Sequence, residues 1–165
     1  SRLPFYRDLV DLFFDSGARF RCLVLAASEL DSVRFHGGDG ELMFYKFYYQ
    51  LLHHWILDGN DYHVFVDLRT NQQPDRVRTL EGFLRRGNLL SSVTAQALPS
   101  AQLDLMQLAD LLIGAVGYAF RKPGSSAAKS ALVAAIQQKV GHPLAPTTRG
   151  EPKFNVFRFR SGGEW

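Results

Sequence analysis

The sequence predicts an α/β fold with a largely parallel sheet flanked by helices. Two observations carry that prediction. Segments with a helical apolar period (5–14, 41–57, 76–86, 103–120 and 127–140) alternate with short β-type runs (20–27, 62–69, 91–98 and 153–160). The run over 20–27 is also nearly continuous in apolar residues, as suits a strand covered on both faces. A length of 165 residues is enough for one ordinary domain with a full core.

Composition narrows the class. Apolar residues make up 46% and charged residues 21%, which reads as globular and not disordered. No eighteen-residue stretch is free of polar interruption, so no membrane span is expected. No signal peptide is read at the start. The lone Cys22 lies in an apolar run, which points to a buried thiol, a reducing compartment and hence a cytoplasmic protein.

Charge is uneven. Residues 1–120 carry 11 Lys/Arg against 14 Asp/Glu, whereas residues 121–165 carry 8 against 2. A one-sided basic region is either the footprint of a polyanion such as nucleic acid or a solvated face.

In chain order, Pro4 opens the first helix and Gly17 ends it, with Phe5, Leu9, Leu12 and Phe13 sharing a face. The strand over 20–27 follows. Gly37-Gly38-Asp39-Gly40 precedes the next helix but lacks the Lys-Ser/Thr of a P-loop, so it reads as a connection. The helix from Glu41 to Leu57 is apolar nearly all round, as expected of a central helix or of a homodimer interface. His53 and His54 on it point about 100° apart, which suits packing and capping more than chelation.

Tyr62, Val64, Val66 and Leu68 line one face of the second strand, and His63, Phe65, Asp67 and Arg69 the other. Asp67 thus ends an apolar strand, where ligands bind in open parallel sheets, although pairing with Arg69 accounts for it equally well. The segment 71–75 is a loop, 76–86 a polar surface helix and 91–98 a short strand with Val93, Ala95 and Ala97 on one side. The helix over 127–140 has a small-residue face of Ala128, Leu132, Ala135 and Ile136. The terminal run over 153–160 mixes aromatics with Lys and Arg, as in a protected edge strand or a base-stacking surface.

The helix over 103–120 carries the most unusual pattern. Leu105, Leu108, Leu112, Ala115 and Ala119 form an apolar stripe, beside a second stripe of Leu103, Gln107, Asp110, Gly114 and Gly117. Each interior glycine costs about 1 kcal/mol relative to Ala, which close approach of another backbone or a ligand would offset. Asp110, set among aliphatics, calls for a metal ion, a basic partner or a hydrogen-bond cluster. Asp104, one turn earlier, suits a helix cap or an outer ligand. Together Asp67 and Asp110 suggest part of a carboxylate cluster for Mg²⁺ or Mn²⁺, ions that take oxygen ligands and, in pairs, serve phosphoryl transfer.

The run Gln107-Leu108-Ala109-Asp110-Leu111-Leu112-Ile113-Gly114-Ala115, preceded by a strand ending Val64-Phe65-Val66-Asp67, resembles the bacterial family called domain of unknown function 3800 (DUF 3800). Leu3-Pro4-Phe5-Tyr6-Arg7-Asp8-Leu9, Phe44-Tyr45-Lys46 and Lys153-Phe154-Asn155-Val156-Phe157 are similar to it too. The resemblance implies a ribonuclease-H-like fold and a metal-dependent nuclease or related phosphoryl-transfer site. In it Asp67 and Asp110 take two acidic positions, supported by Gln107, Asp104 and Gly114. It also implies an Asp-Glu-Ser-Gly strand that this sequence does not contain, so residues 1–165 correspond to the C-terminal part of such a domain.

Overall fold

The structure, a computed structural model, describes residues 3–25, 40–68, 74–121 and 126–159. It is mixed α/β, with five α-helices and two small parallel sheets among these residues. In chain order the elements are α1 (Leu3–Asp15), β1 (Phe20–Val24), α2 (Gly40–Leu52), β2 (Asp61–Asp67), α3 (Pro74–Gly87), β3 (Ser92–Leu98), α4 (Asp104–Phe120), α5 (Ala127–Val140) and β4 (Phe154–Arg158). A 3₁₀ turn, His53–Trp55, follows α2. Gly37, Gly38 and Asp39, Arg69, residues 71–73 of the expected loop, and Lys122 and Arg160 of the basic region lie outside the described residues.

The expected parallel pairing is present, but as two separate pairs. The chain divides into two compact units, Ser1–Val24 with Gln107–Phe159, and Leu25–Met106 with Arg160–Trp165.

In the first unit β1 pairs with β4 in parallel, Phe20 opposite Phe154 and Cys22 opposite Val156. One face of this pair sends Phe20, Cys22, Phe154 and Val156 into a core shared with Val10 and Phe13 of α1, Leu112, Ala115 and Val116 of α4, and Leu132 and Ile136 of α5. Burying each of the larger aliphatics stabilises the unit by about 1.5–3 kcal/mol. The buried face of α1 is turned from the expected one: Val10 and Phe13 are inside, while Phe5 and Leu12 are 57% and 64% exposed. The other face of the strand pair holds two buried polar side chains, Arg21 and Asn155, opposite one another in register.

α5 begins on Ser126, whose hydroxyl accepts from Lys129 N, and ends on Gly141. Gly141 has φ +79, the left-handed cap position, and its N–H donates to Gln137 O.

In the second unit β2, α3 and β3 form a β-α-β segment with parallel strands, Asp61 opposite Ser92 through Asp67 opposite Leu98. Val66, Val77, Leu80, Leu84, Val93 and Ile56 make its core. Charge density suggested a surface role for α3, yet its i, i+3, i+7 set of Val77, Leu80 and Leu84 is buried. A polar helix needs only that narrow stripe to pack. Tyr45, Tyr48, Tyr49 and Leu52 of α2 pack against the same core, which accounts for much of the helix's aromatic content. His53 stacks on Tyr49 with ring centroids 4.6 Å apart, the packing role expected of it.

Candidate functional site

Asp67 is the last residue of β2 and half-buried. The pair ends in register, with Leu68 N donating to Leu98 O at 2.9 Å, so Asp67 stands at the C-terminal end of two parallel strands. The face it shares with His63 and Phe65 points away from the core, and Thr94 and Gln96 continue that face on β3. His63 Nδ1 and Thr94 Oγ1 lie 2.9 Å apart, and Phe65 is 46% exposed. A shallow depression of about 270 Å³ runs over these residues.

Asp110 lies mid-way along α4 and is exposed, as are Asp104, Gln107 and Gly114. The second stripe read from the sequence is thus the outward face of the helix, so Asp110 meets water and avoids the cost of burial among the aliphatics beside it in sequence. Asp104 falls in the first helical turn, where a carboxylate favours the positive end of the helix dipole. The inward stripe is displaced from the expected one: Leu105 is 72% exposed, while Leu112, Ala115 and Val116 are buried and Leu108 and Leu111 pack beside them. A Cβ added to Gly114 or Gly117 meets nothing within 4 Å, so among the described residues close approach does not offset the two glycines.

The two aspartates belong to different units, Asp67 to the second and Asp110 to the first. Among the described residues no group of three His, Cys, Asp or Glu side chains could hold a metal ion. Hard divalent cations take six or more oxygen ligands, and these two carboxylates do not make such a shell.

Three arrangements carry no signal in the periodicity. Lys153 reads in the sequence as part of a basic edge, but its Nζ donates to Phe13 O at 2.6 Å and to Ser16 O and Ala18 O at 2.7 Å, capping the C-terminus of α1. Its ammonium also sits 4.4 Å from the Phe13 ring centroid. Glu81 of α3 reaches the outer edge of β3, where its Oε2 accepts from Ala95 N at 2.8 Å. Burial and the neighbouring Arg149 hold the Arg21 guanidinium below its ordinary value.

The basic region is accordingly less of a surface than its count implies. Lys139 Nζ pairs with Asp11 at 2.7 Å, a bond that raises its pKa, and Lys153 is half-buried, its ammonium held by backbone carbonyls. β4 is no bare edge: Phe154, Asn155 and Val156 are buried, and Thr147 N donates to Val156 O on the side away from β1. Cys22 is buried, and burial pushes its thiol up to about 12, as suits a packing residue.

No helix among the described residues is long and apolar enough to cross a membrane. Comparison with protein-family models, with curated proteins and with solved structures finds no match to this chain.

Proposed function

We propose that this chain is the C-terminal part of a bacterial, ribonuclease-H-like, divalent-metal-dependent nuclease or related phosphoryl-transfer domain of the DUF 3800 kind. Asp67 and Asp110 are two of its acidic residues. The single observation that carries the reading is the placement of Asp67 at the C-terminal end of a parallel strand pair, the end at which α/β sheets bind ligands. The exposed stripe of Asp104, Gln107, Asp110 and Gly114 supports it, since a carboxylate that serves a ligand must be reachable. Phe65, exposed on the same face as Asp67, offers an aromatic surface on which a base can stack. The remaining carboxylates belong to the Asp-Glu-Ser-Gly segment implied by the resemblance, and Mg²⁺ or Mn²⁺ bound by the full set would supply the Lewis acid.

The test is cleavage of labelled DNA and RNA oligonucleotides by the full-length protein with and without Mg²⁺ or Mn²⁺. Asp67→Asn and Asp110→Asn are each expected to lower the rate about 100-fold or more, the scale for removing one stabilising group. Cleavage that survives Asp110→Asn overturns the reading. Binding of nucleic acid without catalysis is the second reading, favoured by the exposed Arg121, Lys129, Arg149 and Arg158. It requires an affinity that falls steeply with salt.

A further inference from the structure

The two turns at the N-terminal end of the β2–β3 pair display three leucines. Leu57 is 57% exposed, Leu89 84% and Leu90 71%. Hydrogen bonds tie the turns together. Gly59 N donates to Leu90 O at 2.9 Å, Ser91 Oγ to Leu57 O at 2.8 Å and Ser92 N to Asn60 O at 3.1 Å. Gly59 has φ +77, which L side chains rarely adopt, so the first turn depends on glycine. The buried Asn88 anchors the second turn by donating from Nδ2 to Leu84 O at 2.7 Å. The leucines therefore stand on a braced frame, so a partner that covers them spends little on ordering loops. Grouped exposed leucines of this kind mark an interaction surface.

The charges around them indicate what covers them. Asp58 and Asp61, both exposed, adjoin Leu57, whereas Arg85 and Arg86, also exposed, close α3 just before Leu89. Arg85 is 3.6 Å from Glu81 with 65% of its side chain exposed, an ion pair weak enough to exchange. The first turn thus carries two carboxylates, and the end of α3 that leads into the second turn carries two guanidinium groups, Arg86 lying 5.0 Å from the Phe83 ring centroid, while both turns carry exposed leucine. A two-fold interface requires this self-complementarity, because each copy offers the other the same surface turned through half a circle. An anionic bilayer would meet both carboxylates along with the arginines, so charge favours a second copy of the chain.

We propose that Leu57, Leu89 and Leu90 form the centre of a homodimer interface. Asp58 and Asp61 of each copy face Arg85 and Arg86 of the other. This surface is separate from the C-terminal end of β2, where Asp67 lies.

Sedimentation velocity of the full-length protein tests the proposal. A dimer is expected, and Leu89→Glu with Leu90→Glu should weaken it by at least about tenfold per leucine. Asp58→Lys with Asp61→Lys, and separately Arg85→Glu with Arg86→Glu, should each give monomers, because like charges then meet twice. Mixing these two variants should restore a dimer, since each then presents the charge the other lacks. Far-UV circular dichroism should match the wild type throughout, the residues being exposed. A wild-type monomer at about 100 µM, a dimer that survives the leucine changes, or a mixture that stays monomeric overturns the proposal. Flotation of a monomeric chain with neutral phosphatidylcholine vesicles, lost on the leucine changes, would also overturn it and assign the patch to lipid.

Discussion

Replacing Lys153 with Met removes one ammonium and keeps a stem of similar length. In the native chain that ammonium donates to the carbonyls of Phe13, Ser16 and Ala18 at 2.6–2.7 Å, and it lies over the Phe13 ring. Hydrogen bonds to a charged group contribute about 1.5–3 kcal/mol each, but these three share one donor group that water also serves in the unfolded chain. Phe13 O retains Ser16 Oγ as a donor at 2.8 Å, and Ser16 is exposed enough for water to replace the lost contact. The net cost of Lys153→Met is therefore about 2–3 kcal/mol, roughly one net hydrogen bond per carbonyl. For a chain of this size that lowers the melting temperature by about 5–10 °C. Urea unfolding followed by far-UV circular dichroism measures it, with Lys153→Arg as the control. The planar guanidinium should recover part of the loss, because its fork cannot aim at three carbonyls around one point. A Met variant within about 0.5 kcal/mol of wild type, the range of an ordinary surface substitution, would refute the cap.

Three further outcomes are expected. Glu81→Ala strips Ala95 N–H of its acceptor on the outer edge of β3, so it should cost about 1–2 kcal/mol and promote association through that edge, whereas Glu81→Gln should retain most of the stability. Gly114→Ala and Gly117→Ala should each stabilise the chain by up to about 1 kcal/mol, since the added methyl meets nothing within 4 Å. A simultaneous loss of nuclease activity or nucleic-acid binding in those variants would locate a ligand on this face of α4. Cys22 should resist alkylation at pH 8 in the native state and react once urea unfolds the chain; rapid native labelling would refute its burial. Its folded pKa is raised from 9.0 to about 12, so the unfolded thiol loses its proton first and stability should fall as pH climbs between those values.

Much of the secondary structure is legible in the residues. The β-α-β order, the parallel pairing and the position of Asp67 at a strand end follow from period, turn residues and apolar content, all of which are local. Which face each helix buries is less legible. Leu105 and Leu12 continue the apolar pattern of their helices yet remain exposed, because periodicity locates a stripe only to within a residue or two and the neighbouring elements decide which part is covered. Lys153 shows the same limit more sharply. Among other basic residues it reads as solvated, and only the approach of the α1 C-terminus to the start of β4 makes it a cap.

The sequence by itself therefore determined the elements and the candidate carboxylates, because backbone propensity and side-chain alternation act over a few residues. The tertiary structure decided the division into two strand pairs, the outward turn of Asp110 and the inward turn of Lys153 and Arg21. It also placed Leu57 beside Leu89 and Leu90, residues separated by a strand and a helix. Those outcomes depend on contacts between segments distant in the chain, which only packing specifies.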